Sequence, residues 1–269
     1  MNIGVISDLH VDRHQKLEPN DYLQILVKIM KMQDLDLLLI AGDISNNYRL
    51  TAQFINDLER QSKIKVLFIP GNHDYWTTDS DATSFDILQF YMDMEQCLIG
   101  KPCILNDDWA IVGNTGWYDY TYADPKFSLE KIARRKYYGA TWQDKVKIDW
   151  PIEDRKLSML AAQQTIKDVE QVKQRKIILM THIVTHQNFA VPTPHRIFDY
   201  FNAFIGTSDF DRIYENYNIH YSIMGHVHFR NTFKEHGITY ICPCLGYSRE
   251  WRTSNIEQEI QHALHKISI

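Results

Sequence analysis

The chain has few cysteines, no long apolar run, no excess of positive charge and no low-complexity linker, and each absence removes a class of function. The four cysteines, Cys97, Cys103, Cys242 and Cys244, lack zinc-finger spacing, and the Cys-Pro-Cys pair is too tight for a C-x2-C knuckle. They read as free thiols in a reducing compartment, with Cys242 and Cys244 as buried packing. Runs of about 18 apolar residues, the length a membrane span needs, are missing. The opening MNIGVISDLH enters a strand-like run without a basic leader. A soluble cytoplasmic protein with no membrane partner is therefore expected. The net charge of −5 argues against an extended nucleic-acid surface. With no internal repeat, the 269 residues read as one catalytic domain, residues 1–269, large enough to bury a substantial core.

What is there begins with short runs rich in Ile, Val and Leu: Ile3 to Ile6, Leu37 to Ala41, Val66 to Ile69, Ala110 to Val112, Ile177 to Met180, Tyr221 to Met224 and Ile238 to Ile241. Each is of strand length. Between the early runs lie segments of helical spacing: Leu23, Leu26 and Met30 behind an Asn20 or Asp21 cap, then Leu50, Phe54 and Leu58, then Phe85, Leu88 and Met92. Alternating strand and helix predicts βαβ units, a largely parallel sheet and helices outside. Beyond Ala110 the strands crowd together, and the main helix is a polar one from about Glu153 to Gln174. Residues 118–150 are rich in aromatic side chains, Tyr138 and Trp142 among them, without a clean period. They read as a cap or insertion; packing on the core and stacking over a nucleotide base both fit.

The residues that follow the strands carry the chemistry. Ser7-Asp8-Leu9-His10, Gly42-Asp43, Gly71-Asn72-His73-Asp74, Thr181-His182 and Gly225-His226-Val227-His228 each stand directly after an apolar run. In a parallel sheet such ends lie side by side, so these groups converge on one crevice. Two Asp, an Asn and four His, with no thiolate, make a site for Mn, Fe or Zn. Seven donors are too many for one tetrahedral ion and suit two ions that share a carboxylate.

In order and kind, these blocks resemble the calcineurin-like metallophosphoesterases, whose pattern runs D-x-H, G-D, G-N-H-D/E, H, G-H-x-H. The resemblance spans Asp8 to His228. It implies a four-layer α/β/β/α sandwich and two divalent or trivalent metal ions. Asp8, His10, Asp43 and His228 would hold one ion, and Asp43, Asn72, His182 and His226 the other, with Asp43 bridging. It further implies hydrolysis of a small phosphomonoester or phosphodiester by attack of a metal-bound hydroxide, with His73 beside the substrate stabilising charge and protonating the leaving oxygen. A nucleotide or cyclic nucleotide is the first candidate substrate; a nuclease and a non-catalytic scaffold on the same fold are the alternatives. Against the nuclease, the insertion from Asp119 to Lys156 carries nine Lys plus Arg against seven acids, a thin electrostatic footprint.

One departure concerns His73. The serine/threonine phosphatase branch continues G-D-x-V-D-R-G, whereas Gly42-Asp43-Ile44-Ser45-Asn46-Asn47-Tyr48 puts Asn46 where that branch pairs an Asp with the catalytic histidine. Asp74 and Asp8 are then candidates to orient His73. His186 and His195 are expected to be ordinary loop histidines, and Arg134-Arg135-Lys136 a solvated face.

Overall fold

The computed structural model describes residues 1–76 and 82–269. The first third alternates strand and helix: β1 (Asn2–Ile6), α1 (Pro19–Met32), β2 (Leu37–Ala41), α2 (Tyr48–Ser62), β3 (Lys65–Ile69) and α3 (Ser84–Asp93). The elements start and stop for local reasons. α1 starts on Pro19, whose fixed φ suits a first helical position, with Asp21 accepting the Glu18 N–H at 2.8 Å in place of the expected Asn20 or Asp21 cap. α2 is capped by the Asn47 side chain, which accepts from the N–H groups of Arg49 and Leu50, both at 3.0 Å.

The second part contributes β4 (Cys103–Ile104), β5 (Trp109–Asn114), α4 (Leu129–Ala133), the hairpin β6 (Lys136–Tyr137) and β7 (Ala140–Thr141), α5 (Asp144–Lys147) and α6 (Asp154–Glu170). Then follow β8 (Lys176–Thr181), α7 (Phe198–Phe201), α8 (Asp211–Asn216), β9 (Ile219–Ile223), β10 (Arg230–Glu235), β11 (Ile238–Pro243), α9 (Ile256–Ala263) and β12 (His265–Ser268). One sheet has the order β12-β1-β2-β3, the other β10-β11-β9-β8-β5-β4. In each the central pairs are parallel, β1-β2-β3 and β5-β8-β9-β11; antiparallel strands close both edges of the second sheet and the β12 edge of the first, whose other edge is the parallel strand β3.

Both faces of the second sheet are covered, and the alternation along its strands shows how. Ile111, Ile178, Met180, Ile223 and Ile241 pack toward the first sheet, in one core with Ile6, Ile40 and Phe68. Their neighbours Ala110, Val112, Ile177 and Leu179 turn the other way, onto Ala162 and Val169 of α6. Helices α1, α2 and α9 cover the first sheet. The result is the four-layer α/β/β/α arrangement.

Several local expectations shift. On α3 the buried apolar residues are Ile87 and Tyr91, whereas Phe85 is 53% exposed. The outer strand β10, RNTFKE, is polar because it is an edge with little to bury, and no apolar run marks it. Arg135 is no solvated cation: its guanidinium pairs with the buried carboxylate of Asp154. Arg134 is exposed and pairs with Glu130. All four cysteines are free, Cys242 and Cys244 fully buried. His186 pairs with Glu235, and His195 accepts the N–H groups of Ile197 and Phe198, so both serve local structure.

Candidate metal centre

The C-terminal ends of β1, β2, β3, β8 and β9 meet where the two sheets adjoin, and all seven expected ligands gather there. One polar atom each of Asp8, His10, Asp43 and His228 lies within 4.8 Å of the others, and the same holds for Asp43, His182 and His226. Asp43 belongs to both groups. Asn72 joins the second, its Oδ1 lying 3.0 Å from His182 Nε2 and 2.9 Å from His226 Nδ1.

The backbone is bent to achieve this. Asp8, His10, Asp43, His226 and His228 all have positive φ, between 43° and 75°, a region costly for residues with a Cβ and concentrated at functional sites. Loop-to-loop hydrogen bonds impose it: the Asp8 N–H donates to Gly42 O, that of His10 to Asp43 O, and that of Gly225 to His182 O. Glycines permit it. A Cβ on Gly71 would come within 2.2 Å of Asp43 Oδ1, and one on Gly42 within 2.6 Å of His182 Nδ1. Asp74 ties the turns together without touching the cluster. It accepts the N–H of Gly71 at 2.8 Å, of Ile44 at 3.0 Å and of Ser45 at 3.1 Å, and the Thr51 hydroxyl at 2.8 Å.

Three of the four imidazoles are aimed by a partner on their far side. His182 Nδ1 donates to Ala41 O at 2.8 Å, His226 Nε2 to Phe204 O at 2.9 Å and His228 Nδ1 to Glu250 at 2.9 Å. Each therefore turns its remaining nitrogen inward, the arrangement in which a histidine ligates a cation. His10 Nδ1 has no partner among the described residues.

The charge balance asks for cations. Burial works against ionisation of Asp8, but the hydrogen bond and charge of His228 outweigh it and hold the carboxyl far below its usual range. Burial also opposes Asp43, which His182 and His73 hold low. The carboxylates in turn draw protons onto buried imidazoles: against burial, Asp43 lifts His182 to about 9, and Asp8 with Glu250 lifts His228 to about 10. Burial and the charge of His182 push His226 down to about 3. Protons on two inward-facing imidazoles stand where positive charge is needed, and oxygen and imidazole donors in this mixture suit Mn, Fe or Zn.

His73 stands beside the cluster. Its N–H donates to Asp43 Oδ1 at 2.8 Å, and its ring Nδ1 lies 2.7 Å from Asn46 Oδ1. Asn46 is thus the orienting partner, and neither Asp74 nor Asp8 takes that place. A neutral amide gives less help to a charged ring than a carboxylate would; with burial as the main cause, His73 is pushed down to about 4. Its Nε2 faces the Tyr247 hydroxyl at 3.5 Å.

The cluster opens into a cleft of about 640 Å³ walled by Trp76, Trp142, Val191, Phe198, Ile205 and Tyr247, with Arg13, Lys147 and Arg249 at its rim. Trp142 comes from the aromatic segment, with its ring 5.7 Å from that of His226, whereas Tyr138 is 64% exposed and away from the cleft. Most other aromatic rings of the segment pack on the core, Tyr118 fully buried and Phe127 nearly so.

Tyr247, Glu250 and Asp144 were missed in the sequence. For Tyr247 a signal existed, since it follows the strand run Ile238 to Ile241 as the other site residues follow theirs. For Asp144 there was none. The profile of the calcineurin-like phosphoesterases matches residues 1–230. The [acyl-carrier-protein] phosphodiesterase PptH of Mycobacterium tuberculosis is 24% identical over 269 residues, covering 93% of this chain and 79% of that protein. A probable cyclic nucleotide phosphodiesterase of Fibrobacter succinogenes is 38% identical over 79 residues, 28% of this chain and 31% of that one. Among solved structures, the phosphopantetheinyl hydrolase PptH of M. tuberculosis matches with a TM-score of 0.79 at 21% identity, over 99% of this chain and 95% of that one. A dimetal phosphatase of Danio rerio matches with a TM-score of 0.54 at 12% identity, over 90% and 86% of the two chains. With the profile match running through every block of the site, the chain belongs to the calcineurin-like phosphoesterase family and is a metal-dependent phosphoester hydrolase.

Proposed function

We propose that the chain is a dinuclear phosphodiesterase that cleaves an extended ester, with the phosphopantetheinyl arm of a carrier protein as the leading substrate. Asp8, His10, Asp43 and His228 would hold an outer cation, and Asp43, Asn72, His182 and His226 an inner one. When bound, Mn, Fe or Zn ions supply charge neutralisation for the phosphoryl oxygens and lower the pKa of a water nucleophile. The observation that carries the reading is the pair of donor groups sharing Asp43, with the far sides of three imidazoles already fixed.

The protein's own residues divide the remaining work. Arg13 and Arg249 sit against the Tyr247 ring, 5.7 and 4.7 Å from its centre, and offer positive charge to an anionic ester entering the cleft. Trp76, Trp142 and Phe198 give an apolar wall to an attached arm and exclude water from it. His73 keeps Nδ1 on Asn46 and turns Nε2 to the reacting side, where a proton can pass to the leaving oxygen. An arriving phosphate anion favours the protonated ring that burial alone disfavours. Residues 118–150 act as a cap through Trp142.

The size of the cleft and the near full-length kinship with the acyl-carrier-protein phosphodiesterase support the carrier-protein ester. The local kinship with a cyclic nucleotide phosphodiesterase supports a second reading, a cyclic nucleotide against the same aromatic wall. The test is to load the purified chain with Mn²⁺ and offer a phosphopantetheinylated carrier protein, a cyclic nucleotide, bis-p-nitrophenyl phosphate and p-nitrophenyl phosphate. Loss of the arm from the carrier, read by intact mass, is the expected result. Turnover of the monoester alone overturns the phosphodiesterase reading.

A further inference from the structure

Asp144 lies on α5, in the aromatic segment, 72 residues from Asn72 in the chain and 1% exposed. We propose that Asp144 is a positioning residue for the inner cation: it fixes which end of the Asn72 amide faces the metal centre, and so couples the 118–150 segment to metal binding. The inference rests on the reading of Asn72 as a ligand.

An amide has a donor end and an acceptor end, and only the acceptor end can hold a cation. Asn72 Nδ2 donates to both oxygens of Asp144, at 3.0 and 3.2 Å. A carboxylate can only accept, so the NH₂ must face it. Oδ1 is left pointing at His182 and His226. The reversed amide would set two N–H groups against the cation and two oxygen lone-pair sets against each other. Asp144 is itself held on three sides: Trp76 Nε1 donates to Oδ1 at 2.7 Å, Trp142 Nε1 to Oδ2 at 2.9 Å, and the Tyr118 hydroxyl to Oδ2 at 3.4 Å. Both carboxylate oxygens are therefore committed to an indole and share the amide. Asparagine at 144 would offer one acceptor to two indoles and place its own NH₂ against a donor.

The same bonds join the cleft wall to the metal centre, because Trp76 and Trp142 line the cleft. A cation on Asn72 Oδ1 withdraws charge from the amide and strengthens its N–H bond to Asp144. Loading with metal should then tighten the segment, and loosening the segment should weaken the inner ion by the same coupling.

The experiment compares the full-length wild type, Asp144→Asn and Trp142→Phe by calorimetric titration with Mn²⁺, thermal melting as the check on folding. Wild type should bind two ions. Asp144→Asn should keep one near its wild-type affinity and bind the other about 10- to 100-fold more weakly. Trp142→Phe, which leaves the bond to Asn72 in place but removes one donor that holds Asp144, should weaken the same ion by a smaller factor, about two- to fivefold. Hydrogen exchange of wild type, with and without Mn²⁺, should show slower exchange in residues 140–148 on loading; this decides the matter alone if Asp144→Asn does not fold. Two wild-type ions with both affinities unchanged in Asp144→Asn overturn the proposal and leave the two-cation reading standing, as does the absence of protection in 140–148. A wild type that holds fewer than two ions overturns both.

Discussion

The two halves of the candidate metal centre are built on the same kind of strand end yet held by different kinds of group. Around the inner half, His182 and His226 are aimed by backbone carbonyls, of Ala41 and Phe204, and Asn72 by a buried carboxylate. Around the outer half, His228 is 16% exposed and aimed by the side chain of Glu250, and His10 Nδ1 has no described partner. Ala41 O belongs to a central strand and Phe204 O to a fully buried helical turn, so neither carbonyl moves without disturbing the core, whereas a side chain on the Tyr247–Glu250 turn can. The inner half should therefore be the more rigid and the outer half the more adaptable, although both open on the cleft, through Asn72 and His226 and through His228.

The largest effect should come from the residue that both halves share. Asp43→Asn removes the charge that screens two cations from each other, so bound metal should fall from about two per chain toward zero, with activity lost. Metal analysis after desalting checks this; two retained ions with near-normal turnover would break the dinuclear reading. Acid comes next. His182 at about 9 and His228 at about 10 are raised above the ordinary histidine value, so both carry a proton at neutral pH that a cation must displace. Apparent affinity in each half should fall as pH drops, by up to about tenfold per unit for each proton displaced. Titrations at several pH values test it; a pH-independent affinity would contradict the charge balance.

His73→Ala should leave both ions bound and slow hydrolysis of alkyl esters by about 10² to 10⁴, the usual worth of a general acid or base. The loss on p-nitrophenyl esters should be much smaller, because that leaving group departs without a proton. Equal losses across leaving groups would assign His73 to charge stabilisation. Glu250→Gln sharpens the contrast between the halves: it should weaken the outer ion alone, by about tenfold. An equal loss at both ions, read by stepwise metal titration, would mean that the halves are not held independently. The smallest effect belongs to the cleft wall. Trp142→Ala should raise KM severalfold for an extended ester and less for a small aryl phosphate, whereas Tyr138→Ala, outside the cleft, should change neither. Equal effects from the two would deny the wall its role.

Much of this was legible because strand ends are local. An apolar run that stops at a glycine, serine or threonine and continues into Asp, His or Asn announces a sheet edge with a polar load, and Asp8, Asp43, Asn72, His182, His226 and His228 could each be read that way. Tyr247 also follows a strand and a glycine, Gly246, but tyrosine is not among the polar groups that mark such an edge. Helix faces were read less well: in α3 the apolar residues outnumber what the core can accept, so Phe85 and Ile87 compete and only packing decides which is buried.

The sequence by itself determined the candidate donor set, its order along the chain and the alternation of strands and helices, because hydrophobic period and turn residues act over a few positions at a time; the four layers entered only as what the family resemblance implies. Only the tertiary structure decided which nitrogen of each imidazole faces inward, that Asn46 orients His73, and that Asp144 meets Asn72. Those contacts join residues far apart in sequence, and their geometry depends on where two sheets and an aperiodic segment come to rest against one another.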